Sequence, residues 1–364
     1  MAVGPRVYFA RRHRAASEGN GLTITPKRLV FDAIFQLSKL ASIGDFTREE
    51  DLVKDLALLA RAYGVEATTA SLLDDEAANP SGYFSTVADY YAGTEAQYSG
   101  VHSPEGAVHF GLDWDGEFHR EGFYGQARIV EELLRGNGAR DVLELGSGKG
   151  FNSIELARRN PDVAFTGVEL TPLHAQIATE RGRELTNLRF VECDFQRLAH
   201  AGDRSVDLVF DVEAGCHADT PQRLGALLSE VRRVLRPGGL FVQFGFFRSS
   251  DFDALTGPVR LAAQLVERAW VIEAFHTELE WKRAAAQVGM DPRDRKDLRA
   301  ASLPSLRRIH QQAKFFYTVM ATAARPLFAP LVKQSTHNSV SALMLPYAYE
   351  LGSVEYTLNV LAAS

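Results

Sequence analysis

The stretch Asp141-Val142-Leu143-Glu144-Leu145-Gly146-Ser147-Gly148-Lys149-Gly150 joins a short apolar run to an acid and then to glycines at alternate positions. At a strand-to-helix turn, such glycines let the backbone bend sharply and let a bulky ligand lie against it without meeting a Cβ. Phosphate-cradling loops favour glycine and lysine, whereas an acid just before the first glycine repels a pyrophosphate. Glu144 suits a ligand with an amino group and a positively charged sulfonium.

Outward from this turn, residue 140 onward alternates short apolar runs with helical periods, the pattern of a parallel sheet covered on both faces. Strands are expected at 141–145, 163–168, 188–192, 206–211 and 239–245. Thr171-Pro172 and Thr220-Pro221 carry the N-cap and N1 signature of helix starts. Arg236-Pro237-Gly238-Gly239 ends the second of these helices. After Gly245 the period is helical to about residue 287, and Asp291 to Asp297 reads as a polar connecting segment. The run Val354 to Leu361 alternates like a strand and is placed at the far side of the sheet. Upstream, Thr47-Arg48-Glu49-Glu50 reads as a capping box ahead of Leu52, Leu56, Leu59 and Tyr63 at helical spacing. Asn79-Pro80-Ser81-Gly82 interrupts, and an aromatic-rich stretch from Tyr83 through Tyr91 to Tyr124 follows, either as packing or as the lining of a site mouth.

Composition narrows the function classes. The 364 residues are 46% hydrophobic, enough for a large core, and the formal charge of −6 gives no basic surface for a nucleic-acid partner. Cys193 and Cys216 have neither disulfide nor metal-ligand spacing, and His102, His109, His119 and His174 are dispersed, so no metal is expected. Arg6, Arg11, Arg12 and Arg14 precede no uninterrupted apolar segment, which points to a cytoplasmic chain without a leader. The apolar region Phe315 to Val332 is cut by Arg325, Pro326 and Pro330, too short and broken to span a bilayer. Contact with lipid or a greasy ligand stays open.

The chemistry-bearing positions sit at the strand ends. Glu169 follows Glu144 by about 25 residues, where an acid can hydrogen-bond ribose hydroxyls, although a nicotinamide-dependent dehydrogenase supplies an acid there too. Asp194 and Phe195 follow the third strand, suited to an adenine amino group and its ring face, with a helix N-cap the alternative for Asp194. Asp211-Val212-Glu213-Ala214-Gly215-Cys216-His217 closes the fourth strand at the edge where open α/β sheets bind ligands.

In these motifs residues 141–245 resemble a class I S-adenosylmethionine-dependent methyltransferase: LELGSGKG, VEL ending at Leu170, ECDF, and RVLRPGG at 233–239. VEAGCHA at 212–218 resembles the sterol C-methyltransferases and, less closely, the tocopherol methyltransferases. The resemblance implies a Rossmann-like, doubly wound, mostly parallel seven-stranded α/β sheet. Around it are expected an N-terminal helical extension (1–80), an aromatic-rich cap (81–135), a core (136–300 and 351–364) and a helical lid insertion (301–350). It implies S-adenosyl-L-methionine as cofactor, held by Glu144, Gly146, Ser147, Gly148 and Gly150 on the methionine part. Glu169 and Leu170 then serve the ribose, Asp194 and Phe195 the adenine, and Asp211 the sulfonium end. Glu213, His217 and Tyr91 are the candidate catalytic residues, with capping or backbone bonding the competing role for His217. Phe315, Phe316, Tyr317, Val319, Met320, Leu327 and Phe328 are read either as a lid, with prolines 326, 330 and 346 shaping a hairpin, or as core.

The implied reaction is methylation at carbon of an isoprenoid, sterol-like or other lipophilic small molecule through a carbocation. Oxygen or nitrogen methylation of a natural product is the alternative, and a dehydrogenase or a silent donor-binding module the readings from other classes. A peripheral membrane contact and a homodimer are left open.

Overall fold

The computed structural model describes residue 38 and residues 42–74, 86–322 and 339–364. The expectations at Arg6 to Arg14, at Asn79 to Phe84 and at Arg325, Pro326, Leu327, Phe328 and Pro330 lie outside them.

Seven strands form one sheet in the order β3-β2-β1-β4-β5-β7-β6, with β1 at Asp141–Leu145, β2 at Ala164–Glu169, β3 at Leu188–Glu192, β4 at Val206–Val212, β5 at Leu235–Arg248, β6 at Met290–Asp297 and β7 at Val354–Ala363. Strands β1 to β5 pair in parallel, and β7 pairs antiparallel to β5 and to β6. This is the mostly parallel, doubly wound α/β sheet that the motifs imply. The order reverses beside β1, whose neighbours are β2 and β4, and the crevice outside their carboxyl ends is where such sheets take ligands.

Two placements differ from the sequence reading. The segment 291–297 is an edge strand, not a connection: its side chains are almost all exposed, and Pro292 and the alternating charges suit a strand with one unpaired side. Its apolar alternation is missing because it has no buried face to mark. Strand β7 accordingly lies between β5 and β6, and it is buried along nearly its whole length.

Helices α1 (Glu49–Tyr63), α2 (Thr69–Asp74) and α3 (Val87–Gln97) precede α4 (Gly125–Asn137), α5 (Phe151–Arg159) and α6 (Pro172–Gly182). Then follow α7 (Pro221–Val234), α8 (Gly257–Ala269), α9 (Glu278–Gln287), α10 (Arg299–Met320) and α11, residues 339–350. Thr220 caps α7 by accepting from the Arg223 amide, with Pro221 in the first turn. Thr171 begins α6 in the same way but its side chain makes no cap bond. The capping box expected at Thr47 is not made, because the Thr47 hydroxyl donates to Asp45 and Arg48 stands at the N-cap. The box occurs instead at α9, where Thr277 and Glu280 satisfy each other's backbone amides.

The N-terminal α1 packs against α10 and meets α11 through buried side chains, and α10 and α11 in turn line the cavity of the candidate active site. Buried Asp55 of α1 accepts from Tyr347 Oη at 2.8 Å and pairs with Lys314 Nζ at 3.0 Å, and the Tyr63 and Tyr317 hydroxyls meet at 3.1 Å. Burial pushes the Asp55 carboxyl up, against the pull of Lys314. Residues far apart in sequence thus make one roof. Pro346 sits within α11 without interrupting it, and no helix among the described residues is long and apolar enough to cross a membrane.

Candidate active site

The turn after β1 takes its shape from left-handed glycines. Gly146, Gly148 and Gly150 have φ of 60°, 52° and 76°. A Cβ on Gly146 would stand 2.4 Å from that of Ala214, so the loops after β1 and β4 touch there. One on Gly148 would meet only Val108, at 3.6 Å, an ordinary contact. The Gly148 amide donates to Glu169 Oε2 at 2.8 Å, and Glu169 Oε1 accepts from the Thr171 amide at 2.8 Å. Glu144 turns onto the first turn of α5, accepting from the Ser153 amide at 3.1 Å, the Ser153 hydroxyl and Asn152 Nδ2. Burial pushes its carboxyl up to about 8, against these hydrogen bonds.

These residues line one end of a cavity of about 740 Å³, within the range of small-molecule sites. Glu144, Gly146, Ser147, Gly148, Glu169, Leu170, Asp194 and Phe195 all face it. Gly150 and Asp211 do not. Gly150 is the N-cap of α5, where a Cβ would strike Phe190. Asp211 is fully buried beneath the next turn, accepting from the Gly215 amide at 3.0 Å, and burial raises its carboxyl to about 7. Its place is therefore structural support for the 214–217 turn, not the cavity wall. Asp194 opens a turn by accepting from the Gln196 amide, and no helix follows it. Three buried polar atoms in this end of the lining, Ser147 Oγ, Asn152 Oδ1 and Thr171 Oγ1, have no partner.

The turn after β4 builds the middle of the cavity. Glu213 is one of three non-glycine residues with positive φ among the described residues, at 62°, and this backbone state carries its side chain to the cavity wall. Its Oε1 accepts from the Phe110 amide at 3.1 Å, and the Tyr356 hydroxyl bonds it as well. Burial nonetheless pushes the carboxyl up to about 8. His217 Nε2 and the Tyr91 hydroxyl share a hydrogen bond of 3.0 Å, while Nδ1 is buried without a partner. Burial lowers the imidazole to about 4, so the ring is neutral at pH 7. Glu213, His217 and Tyr91, read separately from the sequence, thus share one wall.

The covering of this wall comes from the segment expected as an aromatic-rich cap, but the contacts that hold it have no local signal in the sequence. Helix α3 and the π-helical turn Tyr98–His102 lie over the glycine turn, and Glu95 ties them down. Its carboxylate pairs with Lys149 Nζ at 3.1 Å and His174 Nε2 at 3.2 Å, with the Ser99 hydroxyl beside them. Burial opposes the Glu95 charge, but these partners together bring the group to about 2. Lys149 is 3% exposed and buried against Glu95 and the Ser99 hydroxyl, unlike a phosphate-seeking lysine.

Beyond Glu213 the lining turns apolar, with Phe110, Phe246, Trp270, Ile309, Ala313 and Phe316. Phe246 stacks on Tyr356 at 4.8 Å between centroids and lies 5.0 Å from Trp270. Of the lid candidates Phe316 faces the cavity and Tyr317 points into the roof core.

Comparison with known proteins gives this architecture a context. The methyltransferase domain family matches residues 142–239. A cycloartenol-C-24-methyltransferase of Arabidopsis thaliana is 30% identical over 154 residues, 40% of this chain and 43% of the relative. A sterol 24-C-methyltransferase of Yarrowia lipolytica is 25% identical over 243 residues, 65% and 59% respectively. The chain spans about half the length of these curated relatives. Among solved structures, geranyl diphosphate C-methyltransferase from Streptomyces coelicolor A3(2) superposes with a TM-score of 0.51 at 19% identity, covering 70% of this chain and 92% of that one. The chain therefore carries a methyltransferase domain on the class I fold and resembles the sterol C-methyltransferases in sequence.

Proposed function

We propose that this chain is an S-adenosylmethionine-dependent methyltransferase acting at carbon of an isoprenoid, sterol-like or other lipophilic small molecule. The observation that carries the reading is one continuous cavity, polar and acidic at the glycine turn and aromatic beyond Glu213. The donor end suits the cofactor: three acids face it, three buried polar atoms await partners, and its lysine is held by Glu95. Glu144 and Ser147 would hold the amino-acid part, Glu169 the ribose, and Asp194 with Phe195 the adenine. When bound, the cofactor supplies an activated methyl group on a sulfonium.

The chain's own residues then have three tasks. The roof helices and α3 exclude water, and the apolar wall holds the acceptor carbon in line. The ring faces of Phe110, Phe246 and Trp270 and the Glu213 carboxylate stabilise positive charge developing on an alkene acceptor. A cation beside Glu213 favours its ionised form, so a carboxyl that burial keeps neutral becomes a proton acceptor when it is needed. His217, neutral and tied to Tyr91, stands on the same wall as a second proton acceptor.

Oxygen methylation of a phenol or alcohol is the second reading, favoured by the partnerless Nδ1 of His217, a group able to take a hydroxyl proton. The deciding experiment incubates the chain with methyl-labelled donor and a lipid extract, then locates the label by mass spectrometry and NMR. Label on carbon supports the first reading and label on oxygen the second. Absence of both labelled product and S-adenosylhomocysteine binding removes the methyltransferase assignment.

A further inference from the structure

Resting on the methyltransferase reading, one roof residue narrows the acceptor class. Ile309, Gln312, Ala313 and Phe316 of α10 recur at helical spacing and all line the cavity, so one face of this helix looks into it. Three of the four are apolar. Gln312 is 5% exposed, and neither its Oε1 nor its Nε2 has a partner. A buried amide left unpaired is destabilising, and in a ligand-binding wall its natural partner is the ligand.

We infer that Gln312 is a specificity-determining residue whose amide binds a neutral hydroxyl of the acceptor. The amide offers both a donor and an acceptor, matching a hydroxyl's own pair. It offers no charge, whereas a diphosphate calls for arginine or lysine. Of the lysine and arginine among the described lining residues, Lys149 is buried against Glu95 at 3.1 Å, and Arg223, half-exposed, pairs with Asp219 at 2.7 Å. At Gln312 the roof therefore matches a hydroxyl on the isoprenoid and not a charged group. The aromatic group of Phe110, Phe246 and Trp270 links it to Glu213: Phe110 bonds Glu213, and Trp270 Nε1 bonds Ser341 Oγ of α11 at 3.0 Å. The hydroxyl thus anchors one end of a long molecule while another part meets Glu213.

Calorimetry of the full chain with S-adenosylhomocysteine tests this with farnesol, farnesene and farnesyl diphosphate, and with cycloartenol against its 3-deoxy analogue. In at least one series the alcohol binds about tenfold or more tighter than the hydrocarbon, as expected when a buried polar group is left unpaired. Gln312→Leu brings that ratio near one and leaves S-adenosylhomocysteine affinity unchanged. Gln312→Met, close in volume, is the second variant should the first fail to fold. Thermal stability of the variant holds or rises, whereas a merely structural glutamine would lower it and leave the ratio intact. No alcohol preference in either series, no binding of any probe, tightest binding of the diphosphate, or a ratio that survives the substitution overturns the inference. Failure to bind S-adenosylhomocysteine overturns instead the reading on which it rests.

Discussion

The two ends of the cavity are made differently. At the glycine turn the wall is backbone and acidic side chains, supplied mostly by the last residues of β1 and β2 and the first residues after β1, β2 and β3. At the other end it is mainly large side chains, Phe110, Phe246, Trp270 just past α8, and Ile309 and Phe316 of α10, brought together from segments far apart in the sequence. A backbone wall fixes one ligand's polar groups and tolerates little change, while a side-chain wall can be repacked to new shapes. Glu213 stands where the two meet. One fold can thus keep its donor and vary its acceptor.

If the ends are separable, substitutions should strike one without the other. The largest effect is expected for Glu213→Gln, which lowers kcat by about 10²–10⁴-fold, the usual worth of a positioned acid or base, while calorimetry finds S-adenosylhomocysteine affinity unchanged. A parallel loss of that affinity would break the division. Glu169→Gln acts in the opposite sense, weakening S-adenosylhomocysteine by about ten- to a hundredfold, the worth of a charge-assisted hydrogen bond. Its kcat at saturating donor should stay within a few-fold of the parent. Tyr91→Phe removes one neutral hydrogen bond to His217, and kcat/KM should fall by about five- to tenfold.

The smallest effect concerns pH. Glu144 and Glu213, raised from 4.5 to about 8, and Asp211, raised from 3.8 to about 7, keep protons in the folded chain that the unfolded chain has lost. Their contribution to stability is complete below the lower values and is lost as pH rises through the upper ones. His217 and His109, lowered from 6.5 to about 4, act only below 6.5, where stability falls as pH drops. Between pH 6.5 and 8 the acids act without opposition from these histidines, so Tm should decline by a few degrees, and Asp211→Asn should flatten the decline. Over the same interval kcat/KM should rise as Glu213 ionises, and Glu213→Gln should lose that rise.

The donor end could be read from residue order because its parts are consecutive: Glu144 to Lys149 run from the end of β1 into one turn, Glu169 ends β2, and Asp194 and Glu213 come just after β3 and β4. What the order of residues left open needed three dimensions. Gly150 and Asp211 share the motifs of cavity-lining neighbours, yet one caps a helix and the other is turned under a loop. Glu95 lies 54 residues from Lys149 and 79 from His174, and no local pattern connects them. Strand β6 was missed because an exposed edge strand leaves no apolar alternation. Gln312 is a single polar residue in a helix with a buried stripe, visible as unusual only once its neighbours prove to be a cavity.

The left-handed backbone of Glu213 sets two selective pressures against each other. Any side chain there is strained by about 1–3 kcal/mol, which glycine would relieve. Descendants chosen only for heat resistance would drift toward glycine at 213 and go silent, so an acid retained at this position across related genomes would be a signature that turnover, and not durability, is being preserved.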